Sequence, residues 1–174
     1  MAVTFSTHAG ATAAALFPAL VDLYAFVYAE PPYEEGPAEV AGFAEGLPAE
    51  ATRPGFALVA AEEAGALVGA AYAWTMPAGR WWGHADAEPP ADVLHADKCA
   101  VMEWVVHPSR RGRGVGLGLL RRLLAGRPER WATLASDPRA PARAMYGRAG
   151  WARVAGSRLP SGPPVDLLVL PLSH

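Results

Sequence analysis

One stretch near the middle of the chain constrains its fold more than any other: Val105-Val106-His107-Pro108-Ser109-Arg110-Arg111-Gly112-Arg113-Gly114-Val115-Gly116. An apolar run is stopped by a proline, and a Gly/Arg loop follows. The loop opens directly into an amphipathic run, Gly114–Ala125, with Leu117, Leu120 and Leu124 along one face. The pattern predicts a strand, a loop and a helix in immediate succession. Glycines at 112, 114 and 116 let successive backbone N–H groups turn toward one point without Cβ interference. The helix start adds its partial positive charge, and Arg111 and Arg113 add full charges. Such a segment suits a phosphate or pyrophosphate; the alternative is a Gly-rich turn carrying solvated arginines. Spacing excludes two other phosphate loops. A P-loop needs Gly-Lys ahead of Ser/Thr, and Lys98, the only lysine, does not follow a glycine. The dinucleotide fingerprint G-x-G-x-x-G fails in every register, because Leu117, Leu119 and Arg121 occupy the required third position.

The remaining segments fall around this one. Residues 11–29 carry Leu16, Leu20, Leu23 and Val27 at helical spacing and end at Pro31-Pro32, and residues 38–46 predict a second, short helix before Pro48. Phe56 to Ala61 and Leu67 to Trp74, joined by a turn at Glu62–Gly65, read as a hairpin. Residues 77–97, rich in Pro, Gly, Ala and Asp, read as a loop, and loops of that length in a compact domain are usually functional or disordered. Cys99 to Val106 is the clearest strand. After the Gly114–Ala125 helix come a strand at Trp131–Ala135, a helix at Ala140–Arg148 and strands at Trp151–Ala155 and Val165–Leu170. This order predicts an α/β (α+β) layer fold with a mixed central β-sheet flanked by helices. With no repeat and no composition break, residues 1–174 read as a single domain.

Composition narrows the function classes. Hydrophobic residues make up 52% and charged residues 18%, enough for a core and too few charges for wholesale disorder. A net charge of −2 argues against nucleic acid or an anionic membrane as partner, despite Arg110, Arg111, Arg113, Arg121 and Arg122 lying close in sequence. The start of the chain lacks a signal peptide's basic and apolar regions, and no stretch is long and apolar enough for a transmembrane helix, so the expected location is the cytoplasm. Cys99 stands alone in an apolar strand without an adjacent histidine, which reads as core rather than nucleophile. The five histidines show no ligand spacing, and no metal is expected. Asn, Gln and Ile are absent, the signature of a GC-rich coding sequence.

Arg111-Gly112-Arg113-Gly114-Val115-Gly116 resembles the acyl-CoA signature Gln/Arg-x-x-Gly-x-Gly/Ala of the GNAT N-acetyltransferase family, and the preceding Val-x-Pro fits as well. Downstream, Tyr146-Gly147-Arg148-Ala149-Gly150-Trp151 resembles that family's Tyr-x-x-x-Gly-Phe/Trp element. The two motifs stand in the family's order and spacing, and the similarity spans roughly residues 56–170. The resemblance implies a GNAT-like fold and acetyl-CoA as co-substrate. Backbone groups of Val105 and Val106 would pair with the pantetheine arm as an added strand does. The segment Arg111, Gly112, Arg113, Gly114, Val115 and Gly116 would hold the pyrophosphate. Tyr146 would act as general acid at the thioester sulfur. Relatives often carry Asn where this chain has Asp137, an Asp that lacks the amide donor for the CoA arm; Arg143 and Arg139 are further candidates for CoA phosphates.

Acetylating an amine requires removal of a proton, because an alkyl ammonium with a pKa near 10 cannot attack. Glu103, on the strand entering the loop, is the first candidate base, since burial beside apolar neighbours would raise its pKa toward neutrality; the alternative is a solvated or arginine-paired carboxylate. Asp97 and His107 are the next candidates. Tyr33, Trp81 and Trp82 could line the acceptor side, with Tyr28 and His84 nearby; alternatively these aromatics cap the core or a homodimer interface. The expected acceptor is a small-molecule amine. A protein N-terminus or lysine, and a non-catalytic acyl-CoA-binding module, are the competing readings.

Overall fold

The computed structural model describes residues 2–158 and 162–173. In chain order the elements are β1 (Thr4–His8), α1 (Gly10–Ala14), α2 (Phe17–Tyr28), α3 (Pro37–Glu50), β2 (Ala57–Glu63), β3 (Ala66–Met76), α4 (Ala91–Leu94), β4 (Lys98–Val106), α5 (Val115–Leu124), β5 (Trp131–Ser136), α6 (Ala142–Arg148), β6 (Ala152–Ser157) and β7 (Val165–Pro171). The seven strands are hydrogen-bonded in the order β1-β2-β3-β4-β5-β7-β6. The fold is the mixed α/β class that the order of elements predicts. By compactness the chain divides into two units, one comprising residues up to Trp74 with Met102–Ala125, the other Thr75–Val101 with residues from Gly126 onward.

The first unit is an antiparallel β1-β2-β3 meander packed against helices. β1 pairs with β2 from Thr4↔Glu62 to His8↔Leu58, and β2 pairs with β3 from Ala57↔Ala73 to Glu63↔Ala66, with a register shift between Ala61 and Glu62. β3 is buried without alternation from Val68 to Trp74, as a strand covered on both faces must be. α5 lies on β1 and β2 and buries Val115, Leu119, Leu120 and Leu123. Two glycines allow that approach. A Cβ at Gly118 would meet the Phe5 ring at 2.7 Å, and one at Gly69 would meet Leu119 at 3.0 Å. α2 packs against α3 and buries Leu20, Leu23 and Val27.

The second unit contains the parallel pairing. The first residues of β4 run parallel to β5 (Lys98↔Trp131 to Ala100↔Thr133), while β5 and β6 both pair antiparallel with β7. Cys99 is fully buried, and burial pushes its thiol up to about 12, which keeps it unreactive.

Three local differences from the sequence reading have physical causes. β1 was not expected, because its only large apolar residue is Phe5. The helix predicted over 11–29 is two helices, broken at Ala15-Leu16. Pro18 sits in the first turn of α2, where its missing N–H costs nothing. The segment 77–97 is fastened rather than open. Asp97 accepts the Ala78 N–H at 2.8 Å, Trp82 Nε1 donates to Thr133 Oγ1 at 2.9 Å, and the Asp86 carboxylate accepts the Gly156 N–H at 2.8 Å. Lys98 carries the greatest part of this fastening. It is fully buried, and its Nζ donates to the carbonyls of Ala96 (2.7 Å), Val93 (3.3 Å), Leu94 (3.3 Å) and Pro77 (3.4 Å).

Candidate active site

The Gly/Arg loop has the geometry of an anion cradle. After β4 a single 3₁₀ turn, Pro108–Arg110, leads to Gly112 (φ 70) and Gly114 (φ 80), both in the left-handed region that favours glycine. Gly114 is the N-cap of α5 and has no side chain to offer the first-turn amides. The first hydrogen bond of that helix runs from Gly118 N–H to Gly114 C=O, so the preceding amides stay available to a ligand. The three loop arginines differ. Arg110 pairs with Glu63, whose carboxyl it holds below the usual range. Arg111 Nε donates to the Val106 carbonyl at 3.2 Å, and its Nη1 donates to Glu30 at 2.9 Å. Arg113 is exposed and forms no ion pair among the described residues. With Val3, Phe5, Glu63 and Arg110 it lines a depression of about 400 Å³. Glycines at positive φ, uncapped amides and the exposed Arg113 guanidinium make a setting that suits an anion.

Glu103 lies on the same unit, three residues before that loop's strand ends. Strand alternation sends Trp104 to one face, where its Nε1 donates to the Gly116 carbonyl at 3.0 Å, and Glu103 to the other. There Glu103 is 8% exposed, and its Oε1 accepts from Tyr28 Oη at 2.6 Å and from the Trp104 amide at 3.0 Å. Its Oε2 accepts no hydrogen bond among the described residues. Burial raises the carboxyl pKa to about 7, against the lowering by those two donors and with a further push from the Glu35 charge. The other two base candidates are tied to turns. Asp97 holds the Ala78 amide, and His107 Nδ1 accepts the Ser109 N–H while its ring stacks on Phe26 at 4.7 Å.

Tyr28 of α2 meets Glu103 and is the centre of a cluster of rings. Tyr28 lies 4.3 Å from Tyr24 and, edge-on, 4.6 Å from Tyr33; Tyr24 stacks on Phe43 at 3.9 Å. Tyr24 Oη donates to Glu35 at 2.5 Å. Tyr24, Glu35 and Phe43 were not singled out from sequence. The available signal was Tyr24 and Tyr28 four residues apart, hence on one face of α2 beside the Leu20/Leu23/Val27 stripe.

The remaining candidates belong to the second unit. Tyr146 is 8% exposed on α6, with its ring against Trp151 at 6.2 Å. The Asp137 carboxylate is committed to Arg139, accepting its amide at 2.8 Å and its guanidinium at 2.7 Å, which holds the carboxyl below the usual range. Arg143 pairs with Asp166 at 2.8 Å. Trp82 is anchored on Thr133, whereas the Trp81 Nε1 is buried without an acceptor among the described residues. Those residues contain no group of three or more His, Cys, Asp or Glu able to hold a metal ion, and no helix among them is long and apolar enough to cross a membrane.

Among solved structures, the chain is similar to aminoglycoside 6'-acetyltransferase type Ii, with 20% identity and a TM-score of 0.65 over 100% of this chain and 99% of that one. It is also similar to the PaiA N-acetyltransferase from Thermoplasma acidophilum in complex with coenzyme A, with 11% identity and a TM-score of 0.66 over 98% and 99% of the two chains. A chain of the NatC complex bound to Gag peptide and CoA gives 12% identity and a TM-score of 0.69 over 99% and 100%. At these identities the likeness is one of fold. No curated protein matches the chain in sequence. The family model of the acetyltransferase (GNAT) family matches residues 17–151, which include both the glycine cradle and Tyr146. With that match over more than half of its length, the chain belongs to the GNAT acetyltransferase family.

Proposed function

We propose that the protein transfers an acetyl group from acetyl-CoA to the primary amine of a small molecule by direct attack. The observation that carries this reading is Glu103: a carboxyl buried, held by Tyr28 and raised to about 7, on the strand that feeds the glycine cradle. A base poised near neutral pH is what an amine arriving as an ammonium needs. Acetyl-CoA supplies the acyl carbon activated as a thioester. The amides of Gly112 to Gly116 and the Arg113 guanidinium hold the pyrophosphate, and the backbone of Val105 and Val106 pairs with the pantetheine arm. For that pairing Arg111 must give up the Val106 carbonyl it now holds. Around the turn before α6, Arg143, and Asp137 through the Arg139 it orients, complete the cofactor-binding set.

Glu103 takes one proton from the ammonium and frees the lone pair. The N–C bond then forms as the C–S bond breaks. The Tyr146 hydroxyl gives its proton to the departing sulfur, and the surplus proton of the new amide nitrogen returns to the phenolate through solvent. The balance is one acetyl moved, one thiol formed and one proton released. On the acceptor side, Tyr33 belongs to the aromatic wall beside Glu103. Trp81, whose indole N–H has no acceptor among the described residues, is the acceptor-side candidate of the second unit, with Trp82 fixing the segment that carries it. The reading sets the reaction in the cytoplasm and is compatible with a homodimer.

The test is release of free CoA thiol on incubation with acetyl-CoA and a panel of primary amines. Release that depends on both substrates is expected. Release with peptides alone would move the acceptor to a protein N-terminus or lysine. CoA binding without release in either set would overturn the catalytic reading and leave an acyl-CoA-binding module.

A further inference from the structure

α2 presents two tyrosine hydroxyls one turn apart, and each donates to a different carboxylate: Tyr28 to Glu103 at 2.6 Å and Tyr24 to Glu35 at 2.5 Å. The two rings lie 4.3 Å apart, and Glu35 is near enough to Glu103 for its charge to raise the proton affinity of that carboxyl. The buried acids Glu129 and Asp137 and the half-buried Glu50, Glu63 and Asp166 all pair with arginine. Glu103 and Glu35 pair with no cation among the described residues. A tyrosine hydroxyl satisfies one oxygen of each without neutralising its charge. Above the titration of Glu103, the two charges therefore stand without a cation beside a run of four rings, Phe43, Tyr24, Tyr28 and Tyr33, with centroids 3.9, 4.3 and 4.6 Å apart. Aromatic faces attract ammonium groups and accommodate methylenes. What this arrangement lacks is positive charge to set against the two carboxylates.

We propose that Glu35, positioned by Tyr24, is a second-cation subsite that selects acceptors bearing two ammonium groups, one for acetylation beside Glu103 and one held at Glu35. The substrate class is an aliphatic diamine or a larger polycation. This inference rests on the acetyl-transfer reading, and it adds Glu35 as a determinant of specificity outside the catalytic set. The Glu35 charge also raises the proton affinity of Glu103. A cation at Glu35 would offset that charge, so the second ammonium favours the ionised base.

The experiment compares 1,4-diaminobutane with 1-aminobutane, at a pH above the Glu103 titration, in wild type and Glu35→Gln. Wild type is expected to favour the diamine in kcat/KM by about tenfold or more, the effect of one partly buried ion pair. Glu35→Gln should lose that preference while its kcat/KM for 1-aminobutane stays within about twofold of wild type, which also shows that the variant is folded. Calorimetric titration of each amine onto the CoA-saturated protein should show the same loss in affinity. Equal treatment of the two amines by wild type, or an unchanged preference in Glu35→Gln, would overturn the proposal. If neither amine releases thiol, the wider panel of amines and peptides decides the acetyl-transfer reading separately, and the binding comparison still decides the subsite.

Discussion

Glu103 shows how one position in a strand acquires a chemical role. Its neighbours Trp104 and Val106 face α5, so alternation leaves Glu103 on the α2 side, where Tyr28 meets it. Desolvation there raises the proton affinity of the folded state above that of the unfolded chain, from the ordinary 4.5 to about 7. The sign of the linkage follows. The contribution of a group with a raised folded pKa is fully present below the unfolded value and is lost as pH rises through the folded one. Wild type should therefore lose stability relative to Glu103→Gln between about pH 4.5 and 7, by up to about 3 kcal/mol. Urea unfolding of both proteins across that window measures the difference; parallel stability profiles would place Glu103 in water. In turnover, the wild-type kcat/KM should rise through pH 7 with a single ionisation that Glu103→Gln lacks.

Among the elements, the segment joining β3 to β4 is the clearest case of order imposed by one side chain. Its composition gives it no periodic pattern, yet the only lysine of the chain closes it by donating to four of its carbonyls. Burial lowers the Lys98 pKa against the opposing pull of the Asp97 charge, and those carbonyls take the place of water around the ammonium. Lys98→Met would keep the apolar stem and leave the carbonyls unpaired. The expected cost is about 2–3 kcal/mol, the scale of hydrogen bonds to a charged group. A lower Tm, together with new proteolytic cleavage within 77–97, would show it; a variant with unchanged Tm and cleavage would mean that the carbonyls find water instead. The cradle and α2 are joined more lightly, by Arg111 to Glu30 and Phe26 to His107, contacts a helical wheel of α2 alone does not reveal.

For the molecule as a whole, ligand linkage supplies the test of the cradle. Acetyl-CoA at 100 times its dissociation constant should add about 2.7 kcal/mol of stability and raise Tm by about 5–11 °C. Gly114→Val should abolish that shift, because a β-branched residue is strained at φ 80 and crowds the backbone that meets the pyrophosphate; a normal shift in that variant would displace the site from the loop. The cradle was legible in the sequence because every part of it is local: a strand end, a proline, glycines at alternate positions and a helix start lie within a dozen residues, and short-range backbone sterics dictate their conformation. The mixed layer fold was legible for the same reason, since hydrophobic periodicity announces each element. β1 was not, because Phe5 alone marks it, and only pairing with β2 and packing of its ring against Gly118 make it a strand. The surroundings of Glu103 were decided by tertiary structure as well. Glu103 is 75 residues from the tyrosine that holds it. Its raised pKa and its pairing with no cation depend on which groups the folded chain brings near. A sequence fixes which charges exist, and only packing decides which of them are left without a partner.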